Sequence, residues 1–253
     1  MPCYRAEVDI TPIAARSAAP RAGMPLHAQW LGKIDYDKAY LLQKQLVETR
    51  AAGDIDDRLL LMEHPAVLTL GRNADPAHIR ATDAELASRA IKVVRIERGG
   101  EVTYHGPGQL VAYPIIKMSE RGLLLRPFVR ALEDALISTC AAQGVEAGRR
   151  NGYPGCWCDA DGANPRKIGA LGLRVERGVS YHGIALNITT DVAEFDLIDP
   201  CGIPGAISTS IALERGDLDA RPSTSSVEGA AWLFARAFAE ALDASLEIEA
   251  RPG

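Results

Sequence analysis

Four stretches of the chain carry the apolar spacing of amphipathic helices. The first is expected from about Tyr36 to Ala52, with Asp35 placed as its N-cap and Gly53 as its stop. The second, about Asp83 to Ala90, opens on Thr82 and Glu85 in capping-box spacing. The third runs from about Pro127 to Gln143. Pro127 suits a first helical turn, Gly144 suits the residue past the end, and Phe128, Val129, Leu132, Leu136 and Cys140 share one face. The fourth, about Val227 to Leu242, has Ser225 and Glu228 in capping-box spacing and an apolar face of Val227, Ala231, Phe234, Phe238 and Ala241.

Strand-like runs lie between these helices at about Leu26–Leu31, Arg58–Glu63, Val67–Leu70, Lys92–Ile96, Gln109–Ile115, Cys156–Asp159, Lys167–Glu176 and Ser180–Ile188. The last two flank Arg177-Gly178-Val179 and predict a β-hairpin. Strands and helices do not alternate regularly, which disfavours Rossmann and TIM layouts. The pattern predicts a single α+β domain with one mixed or mostly antiparallel sheet and helices packed on it. The folded domain is expected over residues 25–245. An Ala/Pro/Arg-rich leader of poor order precedes it over 1–24, and a tail follows over 246–253.

Composition narrows the function. The chain has 253 residues, 47% apolar and 24% charged, as ordinary soluble domains do. A chain this long buries roughly 70–75% of its unfolded surface and needs no disulfide or metal staple. A net charge of −5 argues against a nucleic-acid partner. Arg149-Arg150 and Arg166-Lys167 are local basic spots, candidate docking points for an acidic partner. No apolar run reaches the roughly 18–20 residues that span a bilayer, so no membrane partner is expected. Five irregularly spaced Cys do not make a secreted disulfide framework, and a cytoplasmic location with free thiols is expected.

Candidate chemistry falls in three Gly-containing segments. Arg98 to Gln109 holds four glycines that let backbone approach a ligand; a tight surface loop is the plainer reading. It lacks the Lys-Ser/Thr of a phosphate loop. In Arg166 to Gly172, Lys167 sits among small and apolar residues, where desolvation would make its amine a usable base; an exposed strand lysine is the commoner case. In Asp199 to Gly205, Pro200 and Gly202 hold Cys201 in a turn, and a turn thiol near a cation is a candidate nucleophile, against a structural loop cysteine. Cys140 lies on an apolar helix face. Cys156 and Cys158 would need two further ligands to hold zinc, so no metal site is expected and packing is the simpler role. His105 and His182, each followed by glycine, are candidates to orient a substrate carbonyl or, equally, structural histidines.

These residues form a recognisable set. Leu70-Gly71-Arg72, Arg98–Gln109, Lys167–Gly172, His182–Asn187 and Pro200–Gly205 occur in the order and spacing that resemble the lipoyl(octanoyl) transferases, of the biotin/lipoate ligase-like superfamily. The likeness covers about Trp30 to Leu213. It implies the biotin/lipoate protein ligase catalytic fold and an octanoyl group arriving as a thioester on the phosphopantetheine of acyl carrier protein. Cys201 would attack that thioester, with Lys167 lowering the thiol pKa and shuttling protons. The acceptor would be a lysine on a lipoyl domain, in a 2-oxoacid dehydrogenase subunit or the glycine-cleavage H protein. Arg98, Gly99, Gly100, Glu101, Val102, Thr103, Tyr104, His105, Ala170, Leu171, Gly172, Gly183, Ile184 and Ala185 would line the acyl pocket, with Arg72 and His182 beside them. No cofactor, ATP or metal is implied, and one catalytic Cys per chain makes a monomer the default. The alternatives are an ATP-dependent lipoate or biotin ligase, which would not need Cys201, and a non-catalytic acyl- or lipoyl-domain-binding module.

Overall fold

The computed structural model describes residues 23–199, 207–217, 219 and 223–250. Cys201, the rest of Pro200–Gly205 and the leader up to residue 22 lie outside the described residues.

Strand β1 (Pro25–Lys33) buries every second residue, beginning with Leu26, Ala28 and Trp30. Strands β2 (Asp57–Glu63) and β6 (Gln109–Ile115) are buried almost throughout, because helices cover both faces of the sheet. Leu59, Leu61, Leu110 and Ala112 face α3 (Leu125–Ala142) and α5 (Thr224–Ala241), whose Phe128 and Phe238 meet edge to face. The alternate residues Leu60, Met62, Val111 and Tyr113 pack with Ala39 of α1 (Tyr36–Ala52). With β8 (Tyr153–Cys158), β9 (Arg166–Glu176), β10 (Val179–Asn187), β7 (Gly148–Arg150) and β12 (Ser245–Glu249), these strands make a sheet in the order β12-β1-β2-β6-β10-β9-β8-β7. The pairs β1–β2 and β1–β12 are parallel and the rest of this path is antiparallel. The short β11 (Ile207–Ser208) joins β9 in parallel. This is the mixed α+β domain that the pattern predicts.

A second sheet, β4-β3-β5, stacks Val67–Leu70 (β3) between Lys92–Arg95 (β4) and Val102–His105 (β5). The glycines around β5 suggested loop. Val102 and Tyr104 form strand because they bury against Leu68, Leu70 and Ile198 in a separate apolar cluster.

Local signals account for most boundaries. Asp35 caps α1 through the Asp37 N–H, and Gly53 ends it in the left-handed region at φ 89°. Helix α2 (Asp83–Ser88) has the Thr82–Glu85 capping box. Arg177 (φ 51°) and Gly178 (φ 77°) make the two-residue turn of the β9–β10 hairpin, with both central residues left-handed as a type I′ turn requires. Two expectations are corrected. Helix α5 starts at Thr224 with Ser223 as cap, not Ser225, since a Ser-Thr-Ser-Ser run offers several caps and periodicity cannot choose between them. Residues 246–249, expected in a tail, lie in β12, which pairs with β1 from Pro25↔Ser245 to Gln29↔Glu249.

Gly183 lies in β10 beside the Ile184↔Ala112 pair with β6. A Cβ there would stand 2.0 Å from the Ala112 carbonyl oxygen. Gly183→Ala is expected to destabilise the fold by about 1–3 kcal/mol through overpacking. Urea denaturation checks this, and an unchanged midpoint would show that the two strands separate without cost.

Candidate active site

Between the β9–β10 side of the main sheet and the segment from Arg98 to His105 lies a cavity of about 760 Å³. It follows β9 from Lys167 to Val175, eight strand steps or roughly 26 Å. The Arg98–Glu101 loop roofs it. Gly71 allows this approach, because a Cβ on it would sit 2.2 Å from the Gly100 carbonyl oxygen. Arg98 folds back under its own loop and is nearly buried. One of its terminal nitrogens donates to the Gly99 carbonyl at 3.0 Å, and the other donates to the Thr69 carbonyl and hydroxyl at 2.7 and 2.9 Å. The guanidinium thus pins the roof to β3.

The structure brings together Lys167, Arg98, Gly99, Gly100, Glu101, Val102, Thr103, His105, Ala170, Leu171, Gly172, His182, Gly183, Ile184 and Ala185, all on the cavity wall. Tyr104 and Arg72 are not among the lining residues. Strand alternation sends Tyr104 to the opposite face of β5 from Thr103 and His105, where its ring meets Phe195 edge to face at 5.6 Å. Arg72 is exposed, and its backbone N–H donates to the Arg98 carbonyl at 3.0 Å. Sequence reasoning did not anticipate Tyr36, Tyr113, Leu125, Val129 and Tyr153, which also line the cavity. One signal was available for two of them. Leu125 and Val129 stand four apart on α3, a short apolar stripe beside the buried Phe128–Leu132–Leu136 face.

A buried polar chain fixes one wall. The Nδ1–H of His105 donates to Gln109 Oε1 at 2.7 Å. The Gln109 amide donates to the Tyr104 carbonyl and to Asn187 Oδ1, and Asn187 donates to the Thr209 carbonyl at 2.9 Å. The Thr209 N–H in turn donates to the Lys167 carbonyl at 3.0 Å. Only one tautomer of His105 suits this chain, with a lone pair on Nε2. Burial pushes the His105 pKa down to about 3. His182 has φ 55° for a non-glycine residue, held by its N–H donating to Gln43 Oε1 at 2.8 Å. Its ring stacks on Tyr181 at 4.8 Å, its Nε2 is buried without a hydrogen-bond partner, and burial lowers its pKa to about 4. Both imidazoles are therefore neutral at pH 7.

Lys167 is the second residue of β9, its ammonium 5.3 Å from the centroid of the Trp157 ring. Backbone geometry supplies a further group. The Gly99 N–H donates to the Leu173 carbonyl at 3.0 Å, on the edge of β9 turned away from β10. Alternate residues of a strand turn their peptide groups to the same edge, so Leu171 and Gly169 face that way too. Gly169 pairs with Cys156 of β8. Leu171 falls in the gap between β8 and Gly99, on the cavity wall. The ladder thus turns the Leu171 N–H toward that gap.

The described thiols are remote from reactivity. Cys140 and Cys156 lie buried with their sulfurs 4.0 Å apart. That contact and burial push the Cys156 thiol far up, and burial pushes Cys158 up to about 12. Among the described residues no group of three or more His, Cys, Asp or Glu is set to hold a metal ion, and no helix is long and apolar enough to cross a membrane.

A mixed sheet with an apolar channel along one strand, a lysine at the start of that strand and a glycine loop for a roof defines an enzyme of the lipoate-ligase fold. The chain matches lipoate-protein ligase A bound with ATP at TM-score 0.61 and 15% identity, over 90% of this chain and 89% of that one. It matches a bipartite lipoate protein ligase from Thermoplasma acidophilum at TM-score 0.58 and 15% identity, over 90% and 86%. Residues 35–220 match the family model described as the lipoyl protein ligase A/B catalytic domain, and the chain belongs to that family. Curated relatives named Octanoyltransferase include one from Acidobacterium capsulatum, 46% identical over 85% of this chain and 91% of its own length. Another, from Chloroflexus aggregans, is 49% identical over 74% and 83%. The chain is an acyltransferase of this family.

Proposed function

We propose that the chain moves an octanoyl group from the thioester of an acyl carrier protein to the side-chain amine of a lysine on a lipoyl domain, through a thioester on Cys201. The observation that carries this reading is the long, largely apolar cavity with Lys167 at one end. An extended eight-carbon chain is roughly 9 Å long, so it fits along β9 with room left for the arriving thioester. Each buried CH₂ contributes about 0.8 kcal/mol, and the neutral His105 and His182 add no charge to the wall.

The chemistry follows from the groups. Lys167 as ammonium favours a Cys201 thiolate; as amine it takes a proton from the incoming acceptor. The thiolate attacks the donor carbonyl, the donor thiol leaves with a proton, and the acceptor amine then displaces Cys201 to form an amide. Thioester-to-thioester exchange is nearly isoenergetic and amide formation runs downhill, so the sequence needs no ATP. Each step passes through a tetrahedral oxyanion, and the Leu171 N–H in the gap of the ladder is the donor this geometry offers. Incubation with octanoyl-carrier protein, followed by intact mass and peptide mapping, is expected to find one octanoyl group on Cys201 that hydroxylamine removes. An adduct on another residue, or none, would overturn the assignment.

A further inference from the structure

We infer that the acyl donor docks on the arginine-fringed apolar lip formed by the start of α3 and by β7–β8, its arm entering the cavity past Tyr153. This rests on the proposed function and adds the partner's place to it. Leu124, Leu125 and Tyr153 are large apolar side chains with 74%, 54% and 39% of their surface exposed. Leu125 and Tyr153 also line the cavity, so the exposed patch runs into it without a break. Exposed apolar surface continuous with a binding channel marks an interaction site.

Charge selects the occupant. Arg126 and Arg130 project from the first turns of α3, and Arg149 and Arg150 form the edge strand β7. Two carboxylates, Glu133 and Asp134, stand among these four guanidinium groups. Arg149 bonds to both and Arg130 bonds to Glu133. That leaves a local excess of two positive charges on a chain of net charge −5. Arg150 lies over Tyr153 at 4.9 Å and over Trp157 at 5.2 Å, the ring on which the Lys167 ammonium also sits at 5.3 Å. A ladder of cations and aromatic rings thus leads from the lip to the reacting end of the cavity. The donor brings an arm tethered through an anionic phosphodiester, which this lip attracts. The acceptor brings a lysine ammonium, which the same arginines repel. A second copy of this net-acidic chain would present its own arginines to these by two-fold symmetry and meet like charge.

The test is steady-state transfer by the double variant Arg126→Glu, Arg130→Glu, neither of which lines the cavity. With octanoyl-carrier protein, KM is expected to rise at least about tenfold at low salt while kcat holds within about twofold, because rim charges act on encounter. The rise should shrink as salt screens the lip. With octanoyl-pantetheine, which lacks both phosphate and protein, kcat/KM should be unchanged, as should KM for the lipoyl-domain acceptor. Arg126→Gln alone, at an exposed site, should move the carrier KM the same way by less. Four results would overturn the inference: an unchanged carrier KM, an equal loss with octanoyl-pantetheine, a raised acceptor KM, or sedimentation showing a wild-type dimer that the variant dissolves. Wild-type protein that octanoylates the acceptor from neither donor would instead remove the proposed function, and this inference with it.

Discussion

Cys201→Ala is expected to lower octanoyl transfer from the carrier donor by at least about 10³-fold, since the acyl group then has no covalent station between two partners that arrive separately. The described alternatives cannot take over. Cys140, Cys156 and Cys158 are buried in the core, and the Cys156 and Cys158 thiols are held in the protonated form, so neither is a thiolate near neutral pH. Direct attack by the acceptor amine on a bound thioester remains open to the variant, but without the thiolate it keeps only binding and the Leu171 N–H. The measurement is single-turnover transfer to a lipoyl domain, read by mass, with and without ATP. Undiminished transfer from the carrier would remove Cys201 from the reaction. Transfer that requires ATP and free octanoate, in variant and wild type alike, would make the chain a ligase that activates its acid as an adenylate.

How much of this could be read in the sequence differs by element. Helix α1 was legible to the residue, because its two ends are set by local chemistry: the Asp35 carboxylate at one and the left-handed Gly53 at the other. The cavity wall was legible through its motifs, since glycine loops and the β9–β10 hairpin carry their own signatures. Strand β5 was not, because its four residues become strand only when Val102 and Tyr104 find Leu68 and Leu70, some 34 positions upstream. Tyr104 was placed on the wall by its motif and off it by the pleat of that unforeseen strand. Strand β12 was equally invisible; its template, β1, lies more than 200 residues away. The direction of the Leu171 N–H could not be singled out from residue type, since only the strand register decides which edge each amide faces.

Stability is expected to fall steeply as pH drops from 6.5 toward 4, and three buried histidines are the cause. Beside His105 and His182, His64 is fully enclosed: its Nδ1–H donates to the Ile34 carbonyl at 2.7 Å and its Nε2 accepts from the Tyr113 hydroxyl at 2.9 Å. Burial holds its pKa at about 4. All three folded-state values lie below the ordinary 6.5. Above pH 6.5 both folded and unfolded chains carry neutral imidazoles, and these groups contribute nothing to the pH dependence. Below it the unfolded chain takes up protons that the native chain refuses. Stability therefore declines, until the folded values near 4 for His64 and His182, and near 3 for His105, are reached. Each group contributes about 1.4 kcal/mol per pH unit. Three of them acting over the window approach 10 kcal/mol, on the order of the whole stability of a domain. Carboxylates add to the decline only near and below their own ordinary range, so the interval from 6.5 to 5 isolates the histidines. Urea denaturation across it should give a slope approaching three protons, reduced by about one in a His64→Gln variant that retains its fold. A flat profile between pH 6.5 and 5 would mean that water and protons reach these rings in the native state.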